Sequence, residues 1–144
     1  MDGMIGRDES RKQGRRMTYF FIGIGGIAGS LLRYFVSIWS EYLWMQTFPF
    51  GTLIANVTGC LCLGIFTRKC SENEKVDRLF VLSIGTGAIG SYTTMSTFSM
   101  DTIWLINIGH IGQAFLYIMV SIIGGLAASW FGYSVFLQKR EDTN

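Results

Sequence analysis

The stretch Gly85-Thr86-Gly87-Ala88-Ile89-Gly90-Ser91-Tyr92-Thr93-Thr94-Met95-Ser96-Thr97-Phe98-Ser99 lies inside an uncharged run from Leu79 to Met100. About 20 such residues are enough to cross the hydrocarbon core of a bilayer as a helix. Three glycines followed by a succession of hydroxyl side chains nevertheless give this segment little reason to remain an ideal lipid-facing helix. A break is expected around Gly90 to Thr94. Irregular backbone at membrane depth is tolerated only where it is buried in protein or lines a cavity, and its freed carbonyls can hold a cation. The segment is therefore a candidate ion site, with a kinked but inert packing helix as the competing reading.

Three further uncharged runs surround it: Thr18 to Ser40, interrupted only by Arg33, Phe50 to Thr67, and Ile103 to Leu137. The last is longer than one span needs, so Ile103 to His110 is expected at the membrane interface, with the helix proper starting near Ile111. The pattern predicts an all-α integral membrane protein with four transmembrane helices at about 18–40, 50–67, 79–100 and 111–137, the third broken mid-membrane. A basic cytoplasmic tail (1–16) precedes the four-helix transmembrane domain (17–137), and a short cytoplasmic tail (138–144) follows it. Charged residues make up 15% of the 144, well below the roughly 25% of soluble domains. No exposed basic face for nucleic acid can be drawn from a net charge of +2 held in short clusters. Arg15 and Arg16 before an apolar segment, with Ala28, Gly29 and Ser30 beyond, resemble a secretory signal, but apolar character continues to Trp39 and favours an uncleaved span. Met17 is an alternative start, in which case the first sixteen residues are not native.

Orientation follows from the loops. Arg7, Arg11, Lys12, Arg15 and Arg16 precede span one, Arg68, Lys69, Lys75 and Arg78 separate spans two and three, and Lys139 and Arg140 follow span four. The opposite loops, Glu41 to Pro49 and Asp101 to His110, hold no Lys or Arg. The positive-inside rule puts both termini in the cytoplasm of a protein of the plasma membrane, and Trp39, Tyr42, Trp44 and Trp104 form an aromatic belt at the outer boundary.

Little of this is enzyme-like. Cys60 and Cys62 point to roughly opposite helix faces, Cys70 lies in a cytoplasmic loop, and His110 has no second ligand beside it. No nucleophile–base pair or phosphate loop is present. All ten acidic residues fall outside or at the ends of the spans, whereas proton-coupled export of cations needs a carboxylate inside the membrane. The only full charge within a span is Arg33, which either snorkels to the headgroups or lines a vestibule that concentrates anions. Asn56 shares a helical face with Thr52 and Cys60, and it either makes an interhelical hydrogen bond or donates its amide to an anion. Tyr117, Ser121 and Gly125 form one stripe on span four, and the small-residue pairs Gly25/Gly29 and Gly124/Ala128 serve close helix packing and oligomerisation.

Three ordered motifs carry a family resemblance: Gly25-Gly26-x-x-Gly29-x-x-x-Arg33-Tyr34, then Phe50-Gly51-Thr52-Leu53-x-x-Asn56-x-x-Gly59, then Gly90-x-x-Thr93-Thr94-Met95-Ser96-Thr97-Phe98-Ser99 with Asp101. Together they resemble the CrcB/Fluc fluoride channels over roughly Ile22 to Gly132. The resemblance implies a passive fluoride-selective channel that lets cytoplasmic fluoride leak out, built as an antiparallel dimer with two narrow pores and a structural sodium ion at the interface. It places Asn56 as the pore asparagine, the hydroxyls of Tyr117 and Ser121 along the ion track, Thr94 and Ser96 beside the break, Gly90 and Thr93 as carbonyl donors to sodium, and Arg33 near a vestibule.

The family's two pore phenylalanines fall at Met95 and Phe98, so the positive aromatic edge that suits an anion is missing at the first. Gly125 stands where some members carry a serine. Eleven Lys and Arg on one side against none on the other give the subunit a fixed orientation, which favours pairing with an oppositely oriented paralogue over an inverted homodimer. Membrane lipid and fluoride are the remaining partners. Two alternatives stand beside the channel: a non-conducting partner subunit of a heterodimer, and a small four-span cation exporter.

Overall fold

The computed structural model describes residues 2–43, 47–72 and 77–141, with side chains described within 13–43, 47–71, 77 and 79–135. Trp44, Glu74 and Lys75 lie outside the described residues, as do the side chains of Arg7, Arg11, Lys12, Arg78, Lys139 and Arg140. The described residues are helical apart from short connections. In chain order they form α1 (Asp2–Leu43), α2 (Phe50–Glu72), the single turn α3 (Arg78–Val81), a π-helical segment (Leu82–Ile89), the short α4 (Gly90–Tyr92), α5 (Ser96–Asn107) and α6 (Ile111–Glu141). Three stretches are long and apolar enough to cross a membrane: Gln13–Leu43, Phe50–Ser71 and Ile111–Val135.

Two helices extend past the spans read from sequence. Helix α1 begins at Asp2, so the basic N-terminal stretch is helical and continuous with the first apolar helix. Ile103–Asn107, read from sequence as interfacial, belongs to α5, which ends in a Schellman turn. Gly109 adopts φ +83° there, the left-handed conformation that glycine takes without a Cβ penalty. His110 N–H donates to Leu105 O at 2.9 Å and Gly109 N–H to Ile106 O at 3.0 Å, which satisfies the last carbonyls of the helix before α6 starts.

Helix contacts follow the small residues. α2 runs against α6, and a methyl group at Gly64 would run into Ser129 O. α1 runs against the π-helical segment, and a methyl at Gly29 would run into Ala88 O. Glycine lets backbone meet backbone at both places, the packing mode expected where lipid removes the usual hydrophobic drive between helices. The fully buried cluster is small: Leu105, Ala114 and Tyr117, covered by Phe48, Leu53 and Phe98. By contrast α1 exposes Phe20, Ile27, Phe35 and Trp39, and α6 exposes Phe115, Ile123, Leu126 and Trp130. In water such faces would aggregate; together with the three long apolar helices they describe an integral membrane protein.

The helical path stops after Tyr92. Thr93 is extended (φ −78°, ψ 155°), and Ser96 starts the next helix. Upstream, residues 82–89 carry the i→i+5 hydrogen bonding of a π-helix, a wider coil frequently found at functional sites. This is the glycine-rich half of the segment on which the sequence reading turned.

Candidate functional site

The interruption at Thr93–Met95 is built around Asn56 on α2. The Asn56 side-chain amide donates from Nδ2 to Thr94 O at 2.9 Å, and its Oδ1 accepts the Thr94 N–H at 2.7 Å. Thr94 N–H is the donor that an uninterrupted α-helix would have given to Gly90 O. Asn56 thus replaces a lost helical bond for Thr94, and Gly90 O is left with only a long contact from the Thr93 hydroxyl at 3.3 Å. An amide has two N–H groups, so one Nδ2 hydrogen of Asn56 remains available.

The residues after the break hold one another. The Thr94 hydroxyl accepts the Thr97 N–H at 3.2 Å, which satisfies a first-turn donor of α5, and it donates to Thr97 Oγ1 at 3.1 Å. Ser96 Oγ lies 3.2 Å from the same oxygen. Upstream, Tyr92 OH and Thr58 Oγ1 are 2.9 Å apart, and Gly59 packs so close to Thr93 that a methyl at Gly59 would meet Thr93 Cγ2. The break is therefore tied to α2 on both flanks.

Beside it lies an open, mostly apolar cavity of about 770 Å³. Its wall takes Asn56 and Cys60 from α2, Gly90, Thr93, Thr94 and Met95 from the interruption and its approach, Phe98 from α5, and Ser121 from α6. The Ser121 hydroxyl oxygen is buried and has no hydrogen-bond partner. A buried hydroxyl left unpaired costs about 1–3 kcal/mol, so an orphan in a cavity wall calls for a ligand or water. Asn56 and Ser121 are two donors facing one largely apolar space, a layout suited to a small anion that must exchange its water for hydrogen bonds.

The sequence-predicted residues divide. Asn56, Thr93, Thr94, Met95, Phe98, Ser121 and Gly90 share this cavity. Met95 stands at its rim, 72% exposed. Ser96 is outside the wall and touches it only through Thr94. Tyr117 is fully buried, with Phe98 tilted against it at 5.1 Å and Phe48 edge-on at 5.6 Å. Its hydroxyl donates to Asp101 Oδ2 at 3.3 Å. Arg33 is half-buried on α1 and does not line this cavity.

Sequence reasoning missed the role of Asp101. Read as the end of a span, it sits instead within α5, half-buried, and Thr52 donates to its Oδ2 at 2.7 Å alongside Tyr117. The available signal was a lone acid at the end of a hydroxyl-rich run with no Lys or Arg in residues 102–110 after it or in the loop 41–49; such a carboxylate must find donors elsewhere.

The family model for CrcB-like protein, Camphor Resistance (CrcB), matches residues 20–133. Fluoride-specific ion channel FluC 1 of Bacillus cereus is 42% identical over 131 residues, covering 90% of this chain and 96% of the relative. FluC 2 of Moorella thermoacetica is 37% identical over 117 residues (81% and 94%), and FluC of Flavobacterium psychrophilum is 38% identical over 115 (80% and 93%). With four-fifths or more of each sequence aligned and all three motifs inside the matched range, the chain belongs to the CrcB-like family of FluC proteins.

Proposed function

We propose that this chain is a subunit of a fluoride-selective passive channel, not an enzyme, that lets cytoplasmic fluoride leave the cell. The relatives named fluoride-specific ion channels support the class of activity. The observation that carries the site is the pairing of the Asn56 amide, with one N–H to spare, and the orphaned Ser121 hydroxyl across one apolar cavity. Fluoride is small and strongly hydrated, so its path must offer donors at close range while excluding larger anions. Phe98 adds an aromatic edge, and Tyr117, Thr94 and Ser96 extend the polar surface on either side. Arg33 then acts at a distance, raising anion concentration in a vestibule.

In this reading residues 78–107 together make the third of four spans, broken at Thr93–Met95, and two subunits pack antiparallel in the plasma membrane. A structural sodium ion suits the break: Gly90 O has lost its helical donor to Asn56, and Thr93 is itself extended, which takes its carbonyl out of the helical ladder, so both carbonyls would hold the ion. Bound there, sodium supplies a fixed positive charge near the anion path. The basic loops place both termini in the cytoplasm and favour an oppositely oriented paralogue as partner, with a homodimer as the alternative.

A second reading has its own observation. Met95 occupies the cavity rim where the resemblance puts an aromatic ring, and a thioether lacks the positive edge of one. This subunit would then complete a heterodimer whose conducting pore is lined mainly by its partner. Expression in cells lacking their own fluoride export separates the two: growth in fluoride restored by this chain and its partner, and lost on Asn56→Asp in this chain, supports a conducting subunit. Restored growth insensitive to Asn56→Asp supports the second reading.

A further inference from the structure

Thr52, Asn56 and Cys60 form one stripe on α2. Asn56 holds the break, and Cys60, one turn further along, is half-buried in the wall of the same cavity. α6 runs beside α2 in the same direction: Gly124 faces Val57, Gly125 faces Cys60 and Gly64 faces Ser129, so residue numbers rise together on the two helices. Asn56 and Ser121 therefore stand at one level, and Cys60 and Gly125, each four residues on, stand at the next, about 6 Å along the axis. A β-carbon at Gly125 would lie 3.4 Å from Cys60 Sγ. Glycine leaves α6 without a side chain at this second level, and the thiol is what α2 offers there.

Most hydroxyls in the cavity wall are committed. Ser99 Oγ donates to Met95 O at 2.9 Å and Thr102 Oγ1 to Phe98 O at 2.8 Å, each closing on its own helix. Thr94 Oγ1 donates to Thr97 Oγ1, and Thr93 Oγ1 reaches the carbonyls of Ile89 and Gly90. A hydroxyl has one hydrogen to give. Three groups keep a hydrogen for something in the cavity: the Asn56 amide, the Ser121 hydroxyl, and the Cys60 thiol, which makes no hydrogen bond among the described residues. The buried, unpartnered Ser121 oxygen is an independent sign that a polar species occupies this space.

We propose that the Cys60 thiol is a third donor on the fluoride path, taking the ion one helical turn on from Asn56 and Ser121; this rests on the channel reading and adds a residue to it. The rest of the wall that α2 and α6 supply beyond Asn56 and Ser121 is Gly59, Leu63, Ile118 and Ile122, whose side chains offer the thiol no acceptor. S–H is a weaker donor than O–H, and a charged partner strengthens the bond. A weak step suits conduction, in which each site must draw the ion in and still release it.

The test is fluoride efflux from proteoliposomes holding the full-length chain, with its inverted partner where the pair is needed, for the parent, Cys60→Ala and Cys60→Ser. Removing the donor in Cys60→Ala is expected to slow efflux about tenfold, the lower end for a hydrogen bond to a charged partner. Cys60→Ser returns a donor to the same place and is expected to conduct at least about fivefold faster than Cys60→Ala, whereas a thiol that only fills space gives both variants one rate. A second measurement needs no change at Cys60. Methyl methanethiosulfonate caps a thiol as a methyl disulfide, with methanesulfinate leaving, and is added to reconstituted Cys62→Ala/Cys70→Ala, whose remaining cysteine is Cys60. Efflux is expected to fall in step with the methylthio adduct counted by mass spectrometry, and to resist the reagent when Cys60→Ser is added to that background. Efflux from Cys60→Ala within about twofold of the parent, equal rates in the alanine and serine variants, or full efflux from protein capped at Cys60 would each overturn the proposal. Those results leave parent efflux, and with it the channel reading, intact; a parent preparation that never conducts would overturn the channel reading and this proposal together.

Discussion

Replacing Ser121 by alanine separates a functional hydroxyl from a structural one. In the folded chain the Ser121 oxygen is buried without a partner, so its removal breaks no protein hydrogen bond. Deleting an unsatisfied buried hydroxyl relieves a desolvation penalty of about 1–3 kcal/mol, and the thermal midpoint in detergent is expected to stay level or rise by a few degrees. Fluoride flux is expected to move the other way. A hydrogen bond to a charged partner is worth about 1.5–3 kcal/mol, and at 1.4 kcal/mol per decade its loss weakens fluoride occupancy roughly 10- to 100-fold. The assay is fluoride efflux from proteoliposomes read with a fluoride electrode, in parallel with a melting curve on the same preparation. A variant that melts lower yet conducts within about twofold of the parent would refute the reasoning, since the hydroxyl would then serve packing alone.

Asn56→Asp keeps the acceptor for Thr94 N–H but turns the Nδ2 donor into a carboxylate oxygen facing Thr94 O; a negative charge about 4 Å from the anion, at an effective dielectric near 20, opposes it by about 4 kcal/mol, so efflux should fall to background in a monodisperse variant. Gly29→Ala would drive a methyl into Ala88 O and should cost roughly 1–3 kcal/mol of stability, whereas Gly23→Ala, with nothing within 4 Å, should be neutral or stabilising; thermal melts compare the two. Asp101→Ala strands the Thr52 and Tyr117 hydroxyls and should destabilise by about 1–3 kcal/mol, more than Tyr117→Phe, which loses only the 3.3 Å bond; a double-mutant cycle on melting measures their coupling. Met95→Phe restores an aromatic edge at the cavity rim and should raise fluoride efflux, and an unchanged rate would remove Met95 from the path.

The broad architecture was legible because membrane burial writes itself into runs of uncharged residues: the runs at 18–40, 50–67 and 111–137 each lie within one of the long apolar helices Gln13–Leu43, Phe50–Ser71 and Ile111–Glu141. The family was legible because its glycine, asparagine and hydroxyl motifs occur in order at matching depths. What stayed hidden depends on contacts between distant residues. Asn56 shows its polarity in the sequence, but its partner is the backbone of Thr94, 38 residues away. The π-helical course of 82–89 is not written in its own propensities; it lies where the glycines of α1 press directly on the backbone of Ser83 and Ala88. Asp101 looked like a loop acid because nothing local in sequence shows that Thr52 and Tyr117 converge on it from two other helices.

The most direct test of the channel assignment is fluoride efflux from liposomes containing the purified protein, alone and co-purified with an oppositely oriented relative from the same cell, with chloride efflux measured alongside. A fluoride-selective channel subunit produces fluoride efflux in at least the paired preparation, with chloride retained, and the lysine–arginine asymmetry adds that the chain alone is silent. Flux from the chain alone would overturn the orientation argument and leave the channel standing; absence of fluoride efflux in both preparations would contradict the channel itself.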